Sequence, residues 1–174
     1  MKTCLYPAAS LLALCAASGT AAAVDSARVH FQNAVGVCQP ALPAFDGNIR
    51  KRPVALANEG TATAFVSCSL PRAQGMAFGN DLATYGIATV TVRVYNRTGA
   101  AADVGCTLVS GWDAPNSNYS PKVITVPANG SAFESWDAGD NDGSRILQPN
   151  FNCSLPPGLD IGYFYYDYIA DIGD

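Results

Sequence analysis

Four cysteines, Cys38, Cys68, Cys106 and Cys153, carry the clearest covalent chemistry in this 174-residue chain. Two of them open a repeated tetrapeptide, Cys68-Ser69-Leu70-Pro71 and Cys153-Ser154-Leu155-Pro156, and each copy closes a short β-branched or aromatic run. An even number of cysteines with no Cys-x-x-Cys pair and no histidine cluster points to disulfide staples rather than to metal ligation or redox catalysis. Four cysteines allow three pairings. The repeat of two similar halves favours the sequential one, Cys38 with Cys68 and Cys106 with Cys153. Each bridge then closes a loop of several tens of residues, worth about 3–4 kcal/mol by loop entropy.

The remaining chemistry-bearing residues are sparser. His30 is the only histidine, with no Gly-x-Ser-x-Gly elbow or metal motif beside it. It alternates away from Val29, Phe31 and Val35 and is expected at the surface rather than in a Ser-His-Asp site. The acidic loop Asp137-Ala138-Gly139-Asp140-Asn141-Asp142-Gly143 offers oxygens suited to a hard cation, so Asp137, Asp140 and Asp142 are candidate calcium ligands. It is not an EF-hand loop, because alignment on Gly143 puts Ala138 at the first ligand position and Pro149 at the bidentate one. The same residues also suit a tight turn, which needs no cofactor. Glu134, Asp137, Asp160 and Asp167 are too scattered to define a glycosidase pair, and no catalytic residue is expected.

The C-terminal segment 161–169 is dense in aromatics. Strict alternation sends Ile161, Tyr163, Tyr165 and Ile169 to one face and Phe164, Tyr166 and Tyr168 to the other. One face packs in the core; the second, with Phe164, Tyr166, Tyr168 and the neighbouring Asp167, is a candidate platform for stacking on sugar rings or anchoring a protein partner. The alternative is a central strand buried on both sides.

These residues must be positioned by strands. Residues 1–23 read as a signal peptide, with Lys2, an apolar stretch over 5–15, and Ala21-Ala22-Ala23 before cleavage at Val24. Lipid attachment at Cys15 is the competing route, although Leu14 stands where a lipobox carries Gly, Ala or Ser. The stretch is too short to span a membrane. Residues 24–174 then form one disulfide-stapled domain in the periplasm or outside the cell. Within it, 24–100 holds seven basic and four acidic residues, and 101–174 holds two basic and ten acidic. The net charge of −4 argues against nucleic-acid binding, and Arg50-Lys51-Arg52 reads as a solvated loop tip.

The most secure strand is 88–95, where Ala88, Val90, Val92 and Val94 alternate with Thr89, Thr91, Arg93 and Tyr95. The turn signature Asn96-Arg97-Thr98-Gly99 leads to a second strand, 103–110, expected to pair with the first. Further runs at 28–37, 53–57, 62–68, 122–126, 131–136, 150–153 and 160–169 are separated by Gly, Pro, Asn and Asp. Pro127-Ala128-Asn129-Gly130 reads as a hairpin turn. The best helix candidate, 72–84, is weakened by Gly75, Gly79 and Asn80. The fold class is therefore all-β, an antiparallel sandwich of jelly-roll or Greek-key type, with an immunoglobulin-like order as the alternative. Sequons at Asn96, Asn118, Asn129 and Asn152 read as turn and edge chemistry.

The alanine-rich leader, Val-Cys-Gln-Pro from Val37, Val-Ser-Cys-Ser-Leu-Pro-Arg from Val66, Val-Tyr-Asn-x-x-Gly before Cys-Thr-Leu, and the final Cys-Ser-Leu-Pro-Pro-Gly resemble uncharacterised exported proteins of Gram-negative bacteria. The resemblance spans most of the chain after the leader. It implies export and disulfides and brings no activity or catalytic residue. Two functions follow: a non-catalytic exported domain acting by surface interaction or in the envelope, with glycan or an envelope protein as partner, or a lectin-like carbohydrate-binding module using the C-terminal aromatic strand, with or without calcium.

Overall fold

The computed structural model describes residues 25–71 and 86–171. The leader, Cys15 and the helix candidate at 72–84 lie outside the described residues. Within them the chain forms β1 (Asp25–Asn33), a single helical turn α1 (Ala34–Val37), β2 (Cys38–Pro40), β3 (Ile49–Arg52), β4 (Ala55–Asn58), β5 (Ala64–Ser69), β6 (Ile87–Asn96), β7 (Ala102–Ser110), β8 (Asn118–Val126), β9 (Ser131–Asp137), β10 (Asn150–Leu155) and β11 (Leu159–Asp171). All pairings are antiparallel. One sheet runs β3-β4-β11-β6-β9, with β1 also lying along β11; the other runs β2-β5-β10-β7-β8.

This order is a jelly roll. The chain doubles back between β7 and β8, and the strands on either side pair in succession: β7 with β8, β6 with β9, β5 with β10, β4 with β11. Rolling that long hairpin up closes two more pairs, β6 with β11 and β7 with β10, which gives two facing sheets. Strands consecutive in sequence therefore often lie in opposite sheets. The expected pairing of β6 with β7 does not occur, and Pro127 to Gly130 carries the chain across the sandwich edge rather than closing a hairpin. The physical reason is that β6 and β8 each reach the sandwich corner, where continuing in the same sheet would leave the valine faces uncovered.

The crossings after β4 and β6 are braced by two asparagines with one pattern. The Asn58 side-chain oxygen accepts from Gly60 N, and its amide donates to the carbonyls of Ala62 and Leu155. The Asn96 oxygen accepts from Thr98 N, and its amide donates to Ala100 and Val126. Both side chains are buried, so each amide satisfies backbone groups that the turning chain removes from any ladder. Asn96 is thus a turn residue, as expected, but a buried one rather than one at an edge.

Val90, Val92 and Val94 of β6 face Val104, Cys106 and Leu108 of β7 across the interior, as alternation predicts. Trp136, Phe151 and Phe164 stack through the centre, with ring centroids 5.1 and 5.0 Å apart. Full burial of such side chains is worth about 1.5–3 kcal/mol each. The two disulfides are Cys38–Cys68 and Cys106–Cys153, the sequential pairing. Each joins residues directly opposite on neighbouring strands of the five-stranded sheet, so the bridges staple one sheet rather than clamp two together. Arg50, Lys51 and Arg52 belong to edge strand β3, not to a loop tip, and charge there suits an edge that must not pair further.

Candidate functional site

The aromatic strand β11 changes side-chain parity at Gly162. Ile161 stands opposite Val94 and Tyr163 opposite Arg93, so one residue of β11 is extra and the alternation slips. A side chain at Gly162 has no room, because its Cβ would lie 2.4 Å from the Tyr95 ring. Beyond this bulge Phe164 and Tyr166 turn inward and are fully buried, while Tyr163 and Tyr165 turn outward. The expected platform of Phe164, Tyr166 and Tyr168 is thus corrected: the first two are interior and Tyr168 is half-buried against the core. Burial pushes the Tyr166 phenol up to about 12, with Tyr168 adding to the shift, and its hydroxyl donates to the Pro71 carbonyl.

The outer face is aromatic all the same, with a different membership. Strand register sets Tyr163 between Asn33 and Arg93, with Phe133 beyond. The next row runs Phe31, Tyr165, Thr91, Ser135, and the next Val29, Asp167, Thr89, Asp137. The Phe31 ring lies 5.5 Å from Tyr165 and 6.0 Å from Tyr163, and Tyr163 lies 6.4 Å from both Tyr165 and Phe133. Phe31 is 67% exposed and Phe133 50%.

Arg93 organises the centre of this face. Its guanidinium carbon lies 4.7 Å from the Phe133 ring centroid, 4.9 Å from Tyr95 and 5.8 Å from Tyr163. One terminal nitrogen donates to the Tyr163 hydroxyl and the other to Ser131 Oγ, both at 3.2 Å. The hydrogen bond to Tyr163 raises the guanidinium pKa further, against a burial effect of opposite sign. Beside the rings, the exposed Ser135 hydroxyl shares a hydrogen bond of 2.8 Å with the buried Thr91 hydroxyl. The face therefore sets ring surfaces next to hydroxyls and one cation.

The outward turn of Phe31 reverses the expected orientation of β1. Because β1 pairs with β11, its parity follows β11: Phe31 stands opposite Tyr165 and is exposed, and His30 stands opposite Tyr166 and turns toward it, 5.0 Å between ring centroids. His30 is half-buried rather than on the open surface.

The acidic loop is a capped turn. Asp137 accepts from Gly139 N at 2.8 Å, and Asp140 accepts from Asp137 N and from Lys122 Nζ, both at 3.0 Å. Burial is the largest single effect on Asp140 and opposes its ionisation, but the Lys122 hydrogen bond, the hydrogen bond from Asp137 N and the Lys122 charge together outweigh it and hold the carboxyl below its usual range. Asp142 is exposed at φ 53°. The Asp137 and Asp140 oxygens are spent on the turn and on Lys122, and among the described residues no three carboxylate, histidine or cysteine side chains converge. Glu134 and Asp160 are also engaged by cations, Glu134 sharing Lys122 with Asp140. Asp160 takes the Arg97 Nε–H at 2.9–3.0 Å, while burial pushes the Asp160 carboxyl up.

Sequence alternation missed Phe31, Arg93, Tyr95 and Phe133. Their signal was present, since each occupies the stripe opposite a run of core residues, but which stripe faces solvent depends on pairing.

No family model matches the chain, and no curated protein matches it. Among solved structures, one described as "CBM4 structure and function" aligns with a TM-score of 0.33 at 9% identity, covering 84% of each chain. A second, TmCBM61 in complex with beta-1,4-galactotriose, aligns with a TM-score of 0.29 at 10% identity, covering 83% of this chain and 84% of the other. Scores this low carry no inference about the ligand of this protein.

Proposed function

We propose that this protein is an exported, non-catalytic recognition domain that binds carbohydrate across the outer face of its six-stranded sheet. The observation that carries this is the exposed aromatic strip Phe31, Tyr165, Tyr163 and Phe133 around Arg93. Burying Phe31 and Phe133 would have stabilised the fold, so leaving them in water has a cost that a ligand recovers. Sugar rings present apolar C–H faces and peripheral hydroxyls. Rings beside the exposed Ser135 hydroxyl and Arg93 offer a partner to each, while the buried Thr91 hydroxyl holds Ser135 in place.

The non-catalytic reading is supported by the engagement of the carboxylates: Glu134 and Asp140 share Lys122, Asp160 pairs with Arg97 and Asp137 caps a turn. Two disulfides fit an oxidising compartment, the periplasm or the medium. No helix among the described residues is long and apolar enough to cross a membrane. The test is depletion by a panel of insoluble and gel-embedded polysaccharides, with and without calcium. The double variant Phe31→Ala/Phe133→Ala is expected to lose at least about tenfold in affinity while melting within a few degrees of the parent. Undiminished binding by that variant overturns the assignment. An envelope-protein partner instead predicts no retention on any polysaccharide.

A further inference from the structure

The opposite sheet carries its own cavity. Two depressions of about 660 and 500 Å³ on the outer face of the five-stranded sheet meet at Asn152, within the size range of small-molecule sites. Their floor is made by alternation and register. Gln39, Ser67, Asn152 and Thr107 stand directly opposite one another on β2, β5, β10 and β7. A chain lying across the strands therefore meets one amide or hydroxyl about every 4.8 Å. Each of these groups both donates and accepts. Among the described residues, the amides of Gln39 and Asn152 and the hydroxyl of Thr107 have no hydrogen-bond partner.

The rim is built as well. Trp112, 57% exposed, sits on the turn after β7, and Tyr119, 54% exposed, on β8. The Trp112 turn is held rather than loose. Gly111 adopts φ +148°, where a Cβ would lie 2.5 Å from Ser117 Oγ; Asp113 Oδ1 accepts from Asn116 N and Nδ2 at 3.1 and 2.8 Å; and Ser117 Oγ donates to the Asp113 carbonyl at 2.6 Å. An exposed tryptophan on a braced turn above a row of unengaged amides is a stacking wall over a hydrogen-bonding floor. Charge is scarce here. Of the residues lining the larger depression only Asp113 is ionisable at neutral pH, and its carboxylate is engaged by Asn116.

We infer that this groove is a second carbohydrate site, independent of the aromatic face, that takes a short uncharged oligosaccharide laid across the strands with a ring stacked on Trp112. It goes beyond the function proposed above, and either site can fail without the other. The test titrates the oxidised protein with cello-, xylo-, manno- and galacto-tetraose, followed by calorimetry and by backbone amide shifts. At least one tetraose is expected to bind with shifts centred on β5, β10 and the Trp112 turn. Trp112→Ala should weaken it about tenfold or more, and Asn152→Ala severalfold, with unchanged melting. Phe31→Ala/Phe133→Ala should leave it unaltered. Binding by none of the four, full affinity in Trp112→Ala, shifts confined to β1, β6, β9 and β11, or equal affinity for a tetragalacturonate would each overturn the inference.

Discussion

The two outer faces of this sandwich obey one rule of alternation and end up chemically opposite. On the six-stranded sheet the outward positions hold Phe31, Tyr163, Tyr165, Phe133 and Arg93, long side chains that lean on one another and fill the face level. On the five-stranded sheet the central outward positions hold Ser67, Asn152, Thr107, Ser154 and Gly105, with bulk only at the margins in Trp112, Tyr119, Phe65 and Val123. The depth of the groove is thus a matter of side-chain length, since the backbone beneath both faces is the same pleated surface. A level aromatic strip suits an extended surface, and a recessed polar row suits a single short chain.

Stability sharpens the contrast, because both disulfides lie in the five-stranded sheet. Reduction of the two bridges is expected to cost about 2–5 kcal/mol for each and to lower amide protection in β2, β5, β7 and β10 before β6 and β11. Equal loss across both sheets in a hydrogen-exchange experiment would show that the staples act on the whole sandwich. Next in size come the corners. Asn96→Ala leaves the Ala100 and Val126 carbonyls without their partner and should cost about 2–4 kcal/mol in urea denaturation, with Asn58→Ala similar. Because each corner joins one sheet to the other, these losses should spread evenly between the faces, unlike reduction.

The smallest effect tests the edge where β8 meets β9. Asp140 has its carboxyl held below the ordinary value, so its contribution is present above the unfolded aspartate pKa and is lost as pH falls through the depressed folded one. Asp140→Asn should remove that acid-side dependence and cost under about 1 kcal/mol at neutral pH, since the pair is partly solvated. Acid melting curves of parent and variant that remain parallel would count against the Lys122 pairing.

Much of the fold was legible in the residues. The valine stripe of β6, the Val104-Cys106-Leu108 stripe of β7 and the two-sheet class follow from local spacing, and the repeated Cys-Ser-Leu-Pro favoured the sequential cysteine pairing that the structure shows. Partnerships across the sandwich were not. The turns after β6 and β8 carry the same Asn and Gly signals whether they close a hairpin or cross between sheets, so local sequence does not distinguish a β6–β7 pair from a crossing to the other sheet. The exposed strip was half legible: the aromatic density of β11 marked the right strand, but one extra residue at Gly162 inverted every assignment after it. Trp112 gave no periodic signal, because a turn residue has no stripe to belong to.

Local sequence determined that strands alternate and that β11 is aromatic on both sides, since each of these depends on neighbours along the chain, whereas the repeat favoured one cysteine pairing of three and the tertiary structure decided it. Only the tertiary structure decided which of two stripes meets water. A strand's pattern defines two faces without ranking them, and the ranking comes from what the partner strand and the facing sheet cover.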